Sequence, residues 1–295
     1  MTLKEKIKLY YELTKPGIIY GNLITTAGGF LLAAKGHWHL LLLLEDLVGI
    51  ALVMAAGCVI NNYIDRGIDA KMERTKNRAL VTGEISGRSA IIYGIILGAL
   101  GFAVLGYFTN ALTVLIALLG TFVYVVLYAI FKRKSVSGTL IGAVSGAVPP
   151  LVGYCAATNR FDAGAVIIFL ILLFWQMPHF YAISIYRQKE YAAAGIPLMS
   201  VKRGIRATKI SMIFYILAFA ASAIALSIFG YAGYTYLGLA ILLSAVWLVM
   251  GLHGFSVAPE REYSWARGMF FYSLMVLIIL FIMMAVSGIV NKSLV

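Results

Sequence analysis

The stretch Leu40-Leu-Leu-Leu-Leu-Glu45-Asp46-Leu-Val-Gly-Ile50-Ala-Leu-Val-Met-Ala55-Ala-Gly-Cys-Val-Ile60 runs without a break into Asn61-Asn62-Tyr63-Ile64-Asp65-Arg66-Gly67-Ile68-Asp69. Its apolar part carries two charges, Glu45 and Asp46, and is long enough for a helix to cross a bilayer, which takes about 20 mostly apolar residues. The polar tail marks where that helix would leave the hydrocarbon. Eight further runs have the same character: Gly17–Ala34, Ser89–Phe108, Leu112–Phe131, Gly138–Ala157, Ala163–Ile185, Ile210–Phe229, Tyr234–Gly254 and Met269–Val290. They are continuous and lack the period-2 alternation of a membrane β-barrel. The expected fold is therefore all-α, a polytopic membrane protein with nine transmembrane helices. Residues 1–295 form one integral-membrane domain, because the loops leave no room for a soluble one.

Composition supports this. The 295 residues are 62% hydrophobic and 12% charged, with a mean hydropathy of +0.92. Soluble domains are about 45–50% apolar and about 25% charged, so an ordinary globule and a disordered chain are both excluded. The first run is read as a retained helix and not a signal peptide, since it is long and Glu5 and Glu12 sit among the preceding lysines. Cys58 and Cys155 lie inside apolar runs without metal-ligand spacing and are read as packing residues. The stripes Gly138/Gly142/Gly146 and Gly94/Gly98 are likewise read as helix-packing surfaces.

The net charge of +12 is one-sided. Threading the nine runs back and forth puts 21 of the 24 lysines and arginines on one face, with Lys35, Arg160 and Lys292 on the other. Nine acids share the basic face; Glu45, Asp46 and Asp162 fall opposite. The positive-inside rule then places the amino terminus in the cytoplasm and the carboxyl terminus outside. The basic balance thus points to the lipid bilayer and gives no case for nucleic acid. No charged residue falls near the middle of a span, which argues against an ion-coupled transporter.

Chemistry concentrates in the loops on the basic face. Asn61, Asp65 and Asp69 are spaced i, i+4, i+8 and share one face if the second helix continues. Two like charges so placed cost about 0.2–0.5 kcal/mol in a bare helix, and a divalent cation between them reverses the sign. Oxygen-only ligands suit Mg²⁺, which binds one or two carboxylates together with substrate phosphates. Arg74, Lys76 and Arg78 follow and could hold phosphate oxygens. The alternative is a solvated helix end with ordinary positive-inside charges. The loop after the sixth run, Tyr186-Arg187-Gln188-Lys189-Glu190-Tyr191 with Gly195-Ile196-Pro197, looks like a counterpart four helices later. It suggests two four-helix halves plus a ninth helix, with both loops converging on one diphosphate held by one or two Mg²⁺. Here Glu190 is the acid and Arg187 and Lys189 the cations. Tyr128 and Lys132 are either a belt aromatic with stop-transfer lysines or a further cation for the leaving diphosphate. His179, in Trp175-Gln176-Met177-Pro178-His179-Phe180, is a histidine bonded to neighbouring backbone, an axial haem ligand or a proton-transfer group. His37 and His39 fall in an outer loop beside Trp38, and His253 has no local motif. No P-loop, HExxH or CxxCH pattern occurs.

Nearly the whole chain resembles the UbiA-type intramembrane prenyltransferases, and within them the heme O synthases (protoheme IX farnesyltransferases). The resemblance rests on Thr14-Lys15-Pro16-Gly17, Asn61-Asn62-Tyr-Ile-Asp65 with Asp69, Met72-Glu-Arg74-Thr-Lys76-Asn-Arg78 and Ser137-Gly138-Thr139. It continues through Gly146-Ala-Val-Pro149-Pro150, Trp175-Gln176-Met177-Pro178-His179-Phe180 and Ala194-Gly195-Ile196-Pro197. It implies a nine-helix bundle with a lipid-accessible cavity near the cytoplasmic face of a bacterial inner membrane. The implied reaction converts heme B, farnesyl diphosphate and water to heme O and diphosphate, with Mg²⁺ as cofactor. Asn61, Asp65 and Asp69 match the first Mg²⁺-diphosphate motif, and Tyr128 and Lys132 match a YxxxK element. The second DxxxD motif of other members stands here as Tyr186 and Glu190, so one carboxylate remains. By family analogy a heme A synthase or a terminal oxidase is a partner. The alternatives are a prenyltransferase for a quinone precursor or other aromatic acceptor and, in another class, a non-enzymatic transporter or assembly factor.

Overall fold

The computed structural model describes residues 2–37 and 39–290. Trp38 and Lys292 lie outside the described residues. The chain opens on an amphipathic helix, α1 (Leu3–Leu13). Thr2 caps it, accepting from the Glu5 amide while Glu5 Oε2 accepts from the Thr2 amide. This reciprocal cap is a capping box. Leu9, Tyr10 and Leu13 pack on Val59, Leu80 and Tyr93, while Leu3 and Ile7 stay exposed. Hydropathy alone does not reveal α1, because too few of its residues are apolar.

Among the described residues nine helices are long and apolar enough to cross a membrane: α2 (Pro16–Ala34), α3 (Leu40–Asp69), α4 (Gly87–Phe108), α5 (Ala111–Lys134), α6 (Gly138–Thr158), α7 (Ala163–Tyr186), α8 (Gly204–Ile228), α9 (Tyr234–Ser256) and α10 (Pro259–Val290). Each apolar run lies within or against its helix. Three helices run well past it at the basic end: α3 by nine residues, and α8 and α10 at their starts. Hydropathy sees the hydrocarbon, and the missing turns lie where polar side chains are satisfied by one another. Lys209 is one of these. It sits inside α8, buried, and donates to Glu262 Oε1 at 2.7 Å and to the Gly254 carbonyl at 2.8 Å. Asp46, sorted by charge to the opposite face, is wholly buried in α3, and neither carboxylate oxygen has a hydrogen-bond partner among the described residues.

The helices pack as two sets of four. In the first, α3 lies against α4; in the second, α7 lies against α8 and α8 against α9. The sets meet where α2 packs on α6, and α10 packs on both α2 and α7, tying them together. Close approach of α2 and α6 needs glycine. A Cβ on Gly153 would fall on the Thr26 carbonyl oxygen, and one on Gly29 on the Pro150 carbonyl oxygen. Such backbone-to-backbone contact is how small residues hold membrane helices together. Gly153→Val should therefore destabilise the bundle by about 1–3 kcal/mol or more, the range for overpacking. Thermal unfolding in detergent checks this; an unchanged midpoint contradicts the contact. Two spans are irregular. In α6 the α-helix breaks at Ala147 and restarts at Val148, with Pro149 and Pro150 in the new first turn, where no amide proton is needed. In α5 the segment Val123–Tyr128 is π-helical, a feature frequent at functional sites.

Candidate active site

Because α3 stays helical to Asp69, Asn61, Asp65 and Asp69 do share one face, and all three are buried, at 3%, 9% and 6% exposure. What surrounds them is cationic. Lys132 Nζ pairs with Asp65 Oδ2, and Arg133 donates to Asp65 Oδ1 at 3.4 Å and to the Ile64 carbonyl at 2.6 Å. Arg78 donates from Nη1 to Asp69 Oδ2 at 2.6 Å and to Asn62 Oδ1 at 3.1 Å. Lys15 Nζ donates to Asn61 Oδ1 at 3.2 Å. Two carboxylates thus face four cations. Without its carboxylates this cluster of positive charge would be strongly self-repelling, and with them it keeps a surplus ready for a polyanion.

Local structure sets each side chain. The π-helical turn in α5 precedes Lys132, whose ammonium lies 5.0 Å from the Tyr128 ring centroid. Tyr128 stacks on Tyr124 at 5.7 Å and 9°. Gly142 makes room for it, since a Cβ there would come within 2.9 Å of the Tyr128 ring. Lys15 takes a left-handed backbone (φ 55°) directly before Pro16, a strained conformation for a residue other than glycine and of the kind that clusters at functional sites. Burial pulls its amine below the usual lysine range, opposed by the nearby Cys58 and Asp65. Asn62 fastens α1 to α3 by donating to the Leu13 carbonyl at 2.8 Å. Thr75 fastens the following loop through the Asp69 carbonyl at 2.9 Å.

The loop after α7 carries Arg187, which donates through Nη1 to both Glu190 oxygens at 3.1 and 3.2 Å. Tyr191 connects the loops. Burial pushes its phenol up, while the positive charges of Arg74 and Arg187 pull it down, and it lies within electrostatic range of Tyr128. The structure therefore brings Asn61, Asp65, Asp69, Arg78, Tyr128 and Lys132 into one cluster, with Arg74, Arg187 and Glu190 around Tyr191 beside it. Lys76 pairs instead with Glu73 at 2.6 Å on the surface, and Lys189 is exposed. Lys15, Asn62 and Arg133 belong to the cluster although spacing does not single them out. The pre-proline lysine in Thr14-Lys15-Pro16-Gly17 is the visible signal for the first.

His179 lies apart from the carboxylates, between α7 and α10. Its ring stacks on Trp175 at 4.9 Å and meets Phe270 at 4.9 Å. Nδ1 lies 2.7 Å from Ser273 Oγ, which itself donates to the Phe270 carbonyl at 2.6 Å. A hydroxyl has one proton. Ser273 uses it on Phe270, so Nδ1 must be the donor to Ser273 and Nε2 keeps its lone pair. Among the described residues the hydrogen-bond partner of the His179 ring is this side chain and not backbone. Trp175 and Gln176 frame it, donating to the carbonyls of Ser273 and Ala143 at 2.8 and 2.9 Å.

The donor set fits Mg²⁺. It is all oxygen, and Asn61, Asp65 and Asp69 already hold cations in this structure. No group of three or more His, Cys, Asp or Glu side chains is placed to hold a metal among the described residues. Two carboxylates and an amide suffice only if phosphate oxygens complete the shell, as Mg²⁺ prefers.

A nine-span bundle with an Asn/Asp motif ringed by cations is the arrangement of an intramembrane prenyltransferase, and the UbiA prenyltransferase family profile matches residues 22–275. The chain belongs to that family. Its curated relatives include protoheme IX farnesyltransferase 2 of Chromobacterium violaceum, 52% identical over 284 residues, 96% of this chain and 94% of the relative. The protoheme IX farnesyltransferase of Marinomonas sp. is 51% identical over 281 residues, 95% of each chain. Among solved structures, a digeranylgeranylglyceryl phosphate synthase superposes with a TM-score of 0.80 at 22% identity, covering 97% of this chain and 99% of that one. A UbiA homologue from Archaeoglobus fulgidus bound to GPP and Mg²⁺ gives 0.68 at 17%, covering 91% and 99%. At those identities the likeness is one of fold.

Proposed function

We propose that this chain transfers the farnesyl group of farnesyl diphosphate to a vinyl group of heme B, with addition of water, to give heme O. The observation that carries the donor half is the buried cluster of Asp65 and Asp69 among Lys15, Arg78, Lys132 and Arg133. The acceptor half follows from the relatives, about half identical over 95–96% of the chain and named for that activity, and agrees with a buried histidine whose Nε2 has no hydrogen-bond partner among the described residues.

Asn61, Asp65 and Asp69 would hold Mg²⁺, which supplies charge neutralisation to the diphosphate. Lys132, Arg133, Arg78 and Lys15 bind the diphosphate oxygens and are preorganised where negative charge grows, the arrangement that lowers such barriers most. The bond from farnesyl C1 to oxygen breaks, and its electron pair leaves with the diphosphate. The Tyr124–Tyr128 stack offers aromatic faces to the allylic cation, worth about 2 kcal/mol or more when desolvated. A heme vinyl carbon bonds to C1; water then adds to the carbon beside the ring and loses a proton. Arg74 and Tyr191 set the second loop beside the site. The basic end faces the cytoplasm of a bacterial inner membrane, the orientation its charge dictates, so soluble diphosphate leaves on that side.

The decisive experiment incubates membranes containing the protein with heme B, farnesyl diphosphate and Mg²⁺ and seeks heme O by mass. Product is expected, and chelating the Mg²⁺ should abolish it. Transfer to a quinone precursor with none to heme would favour the other acceptor class. Absence of any Mg²⁺-dependent diphosphate release would leave only a non-enzymatic role.

A further inference from the structure

A cavity of about 370 Å³ opens between the basic ends of α7 and α10, lined by Tyr186, Arg187, Tyr263, Arg267, Phe270 and Phe271. It contains two guanidinium groups, four aromatic rings and no carboxylate. Arg187 reaches Glu190 outside the lining through Nη1, and its guanidinium lies 5.4 Å from the Tyr186 ring. Arg267 makes no ion pair among the described residues; its guanidinium stands 5.8 Å from both the Tyr263 and Phe271 rings. A planar cation stacked on aromatic faces with its fork unused is suited to grip a carboxylate bidentately. With no acidic oxygen in the lining, the cavity lacks the ligands a Mg²⁺-diphosphate needs.

We propose that this cavity binds the dicarboxylate edge of the tetrapyrrole acceptor, with Arg267 and Arg187 each taking one propionate. The inference rests on the heme reading above and adds to it a site distinct from the Asn/Asp cluster. Phe270 is the link: it walls the cavity on one side and meets the His179 imidazole on the other. At 1.5 Å per residue, Arg267 stands about 9 Å along α10 from Ser273, and Arg187 about 12 Å along α7 from His179. Both arginines lie on the basic-end side of the His179–Ser273 pair. A porphyrin carries both propionates on one edge, away from its metal. The edge therefore fits the arginines while the ring centre points inward. An anionic lipid headgroup shares the arginine chemistry, but it lacks the flat apolar ring that the aromatic wall from Phe270 to His179 continues.

The test uses the full-length protein in phosphatidylcholine nanodiscs, metal-free protoporphyrin IX and its dimethyl ester, read by fluorescence. Arg267→Gln should weaken binding of the free acid about tenfold or more, the loss expected for a charge-assisted pair, and leave the ester unchanged. The thermal midpoint and the KM for farnesyl diphosphate should stay at their wild-type values. Equal binding of acid by variant and wild type overturns the proposal, as does equal weakening of acid and ester. A raised KM for farnesyl diphosphate also overturns it, by assigning Arg267 to the donor. Phosphatidylglycerol retained by the wild type and lost by the variant, with porphyrin affinity unchanged, makes a lipid the occupant. If the wild type binds neither porphyrin, the heme reading itself fails, an outcome separate from an arginine-independent porphyrin.

Discussion

Asp65→Asn is expected to lower heme O formation by roughly 10²- to 10³-fold, the cost of removing one preorganised electrostatic contact at a centre of developing charge. Asp65 is the busiest residue of the cluster. Lys132 and Arg133 converge on its two oxygens, so its loss removes a metal ligand and also releases the two cations it aims. The substitution keeps shape and volume. The neighbouring contacts, Arg78 on Asp69 and Asn62 on Leu13, do not pass through Asp65, so the bundle should still fold, with a thermal midpoint lowered by the Lys132 ammonium left without its partner. Asp65→Glu should recover part of the rate and need more Mg²⁺, because the longer arm misplaces a correct charge. Lys132→Ala separates the roles: it leaves the metal ligands intact and should raise KM for farnesyl diphosphate as well as lower kcat. Near-normal turnover of Asp65→Asn in saturating substrate would remove this carboxylate from the site.

How much of this was readable beforehand varies from residue to residue. The nine spans were legible because hydrocarbon imposes one rule on every crossing, and the chain obeys it with little ambiguity. The face shared by Asn61, Asp65 and Asp69 was legible on one condition, that the helix outlast its apolar run, and α3 meets it by nine residues. The partners of those residues were not legible. Lys15 lies 46 positions from Asn61 and Lys132 lies 67 from Asp65; no periodicity links them, only the packing of α2, α3 and α5. The π-helical turn of α5 has no sequence signature either, since the segment around Tyr128 reads as continuous apolar helix. Lys76 follows the motif among the cations, and a short turn pairs it with Glu73 at the surface, a local contact that spacing does not reveal.

The second large effect is expected at His179. His179→Ala should abolish the Soret shift that heme B produces on binding to the purified protein and should lower heme O formation, while metal-free protoporphyrin IX binds as before. The porphyrin control matters because His179 is packed between Trp175 and Phe270, and truncating it could simply collapse the aromatic wall. Ser273→Ala is the finer probe. The Ser273 hydroxyl is committed to the Phe270 carbonyl and so accepts from Nδ1, which holds the imidazole in the tautomer whose Nε2 can meet iron. Without the serine a buried N–H loses its partner, a cost of about 1–3 kcal/mol, and the ring can regain it by flipping or changing tautomer. Heme should then bind roughly tenfold more weakly with a smaller Soret shift, and metal-free porphyrin should not notice. A histidine with a merely structural role predicts the reverse pattern, with both variants losing thermal stability and neither distinguishing iron from its absence. If His179→Ala keeps the full Soret shift yet loses turnover, the Nε2 lone pair serves proton transfer instead. The pH–rate profile of Ser273→Ala would then move, because a hydrogen bond at Nδ1 tunes the basicity of the opposite nitrogen.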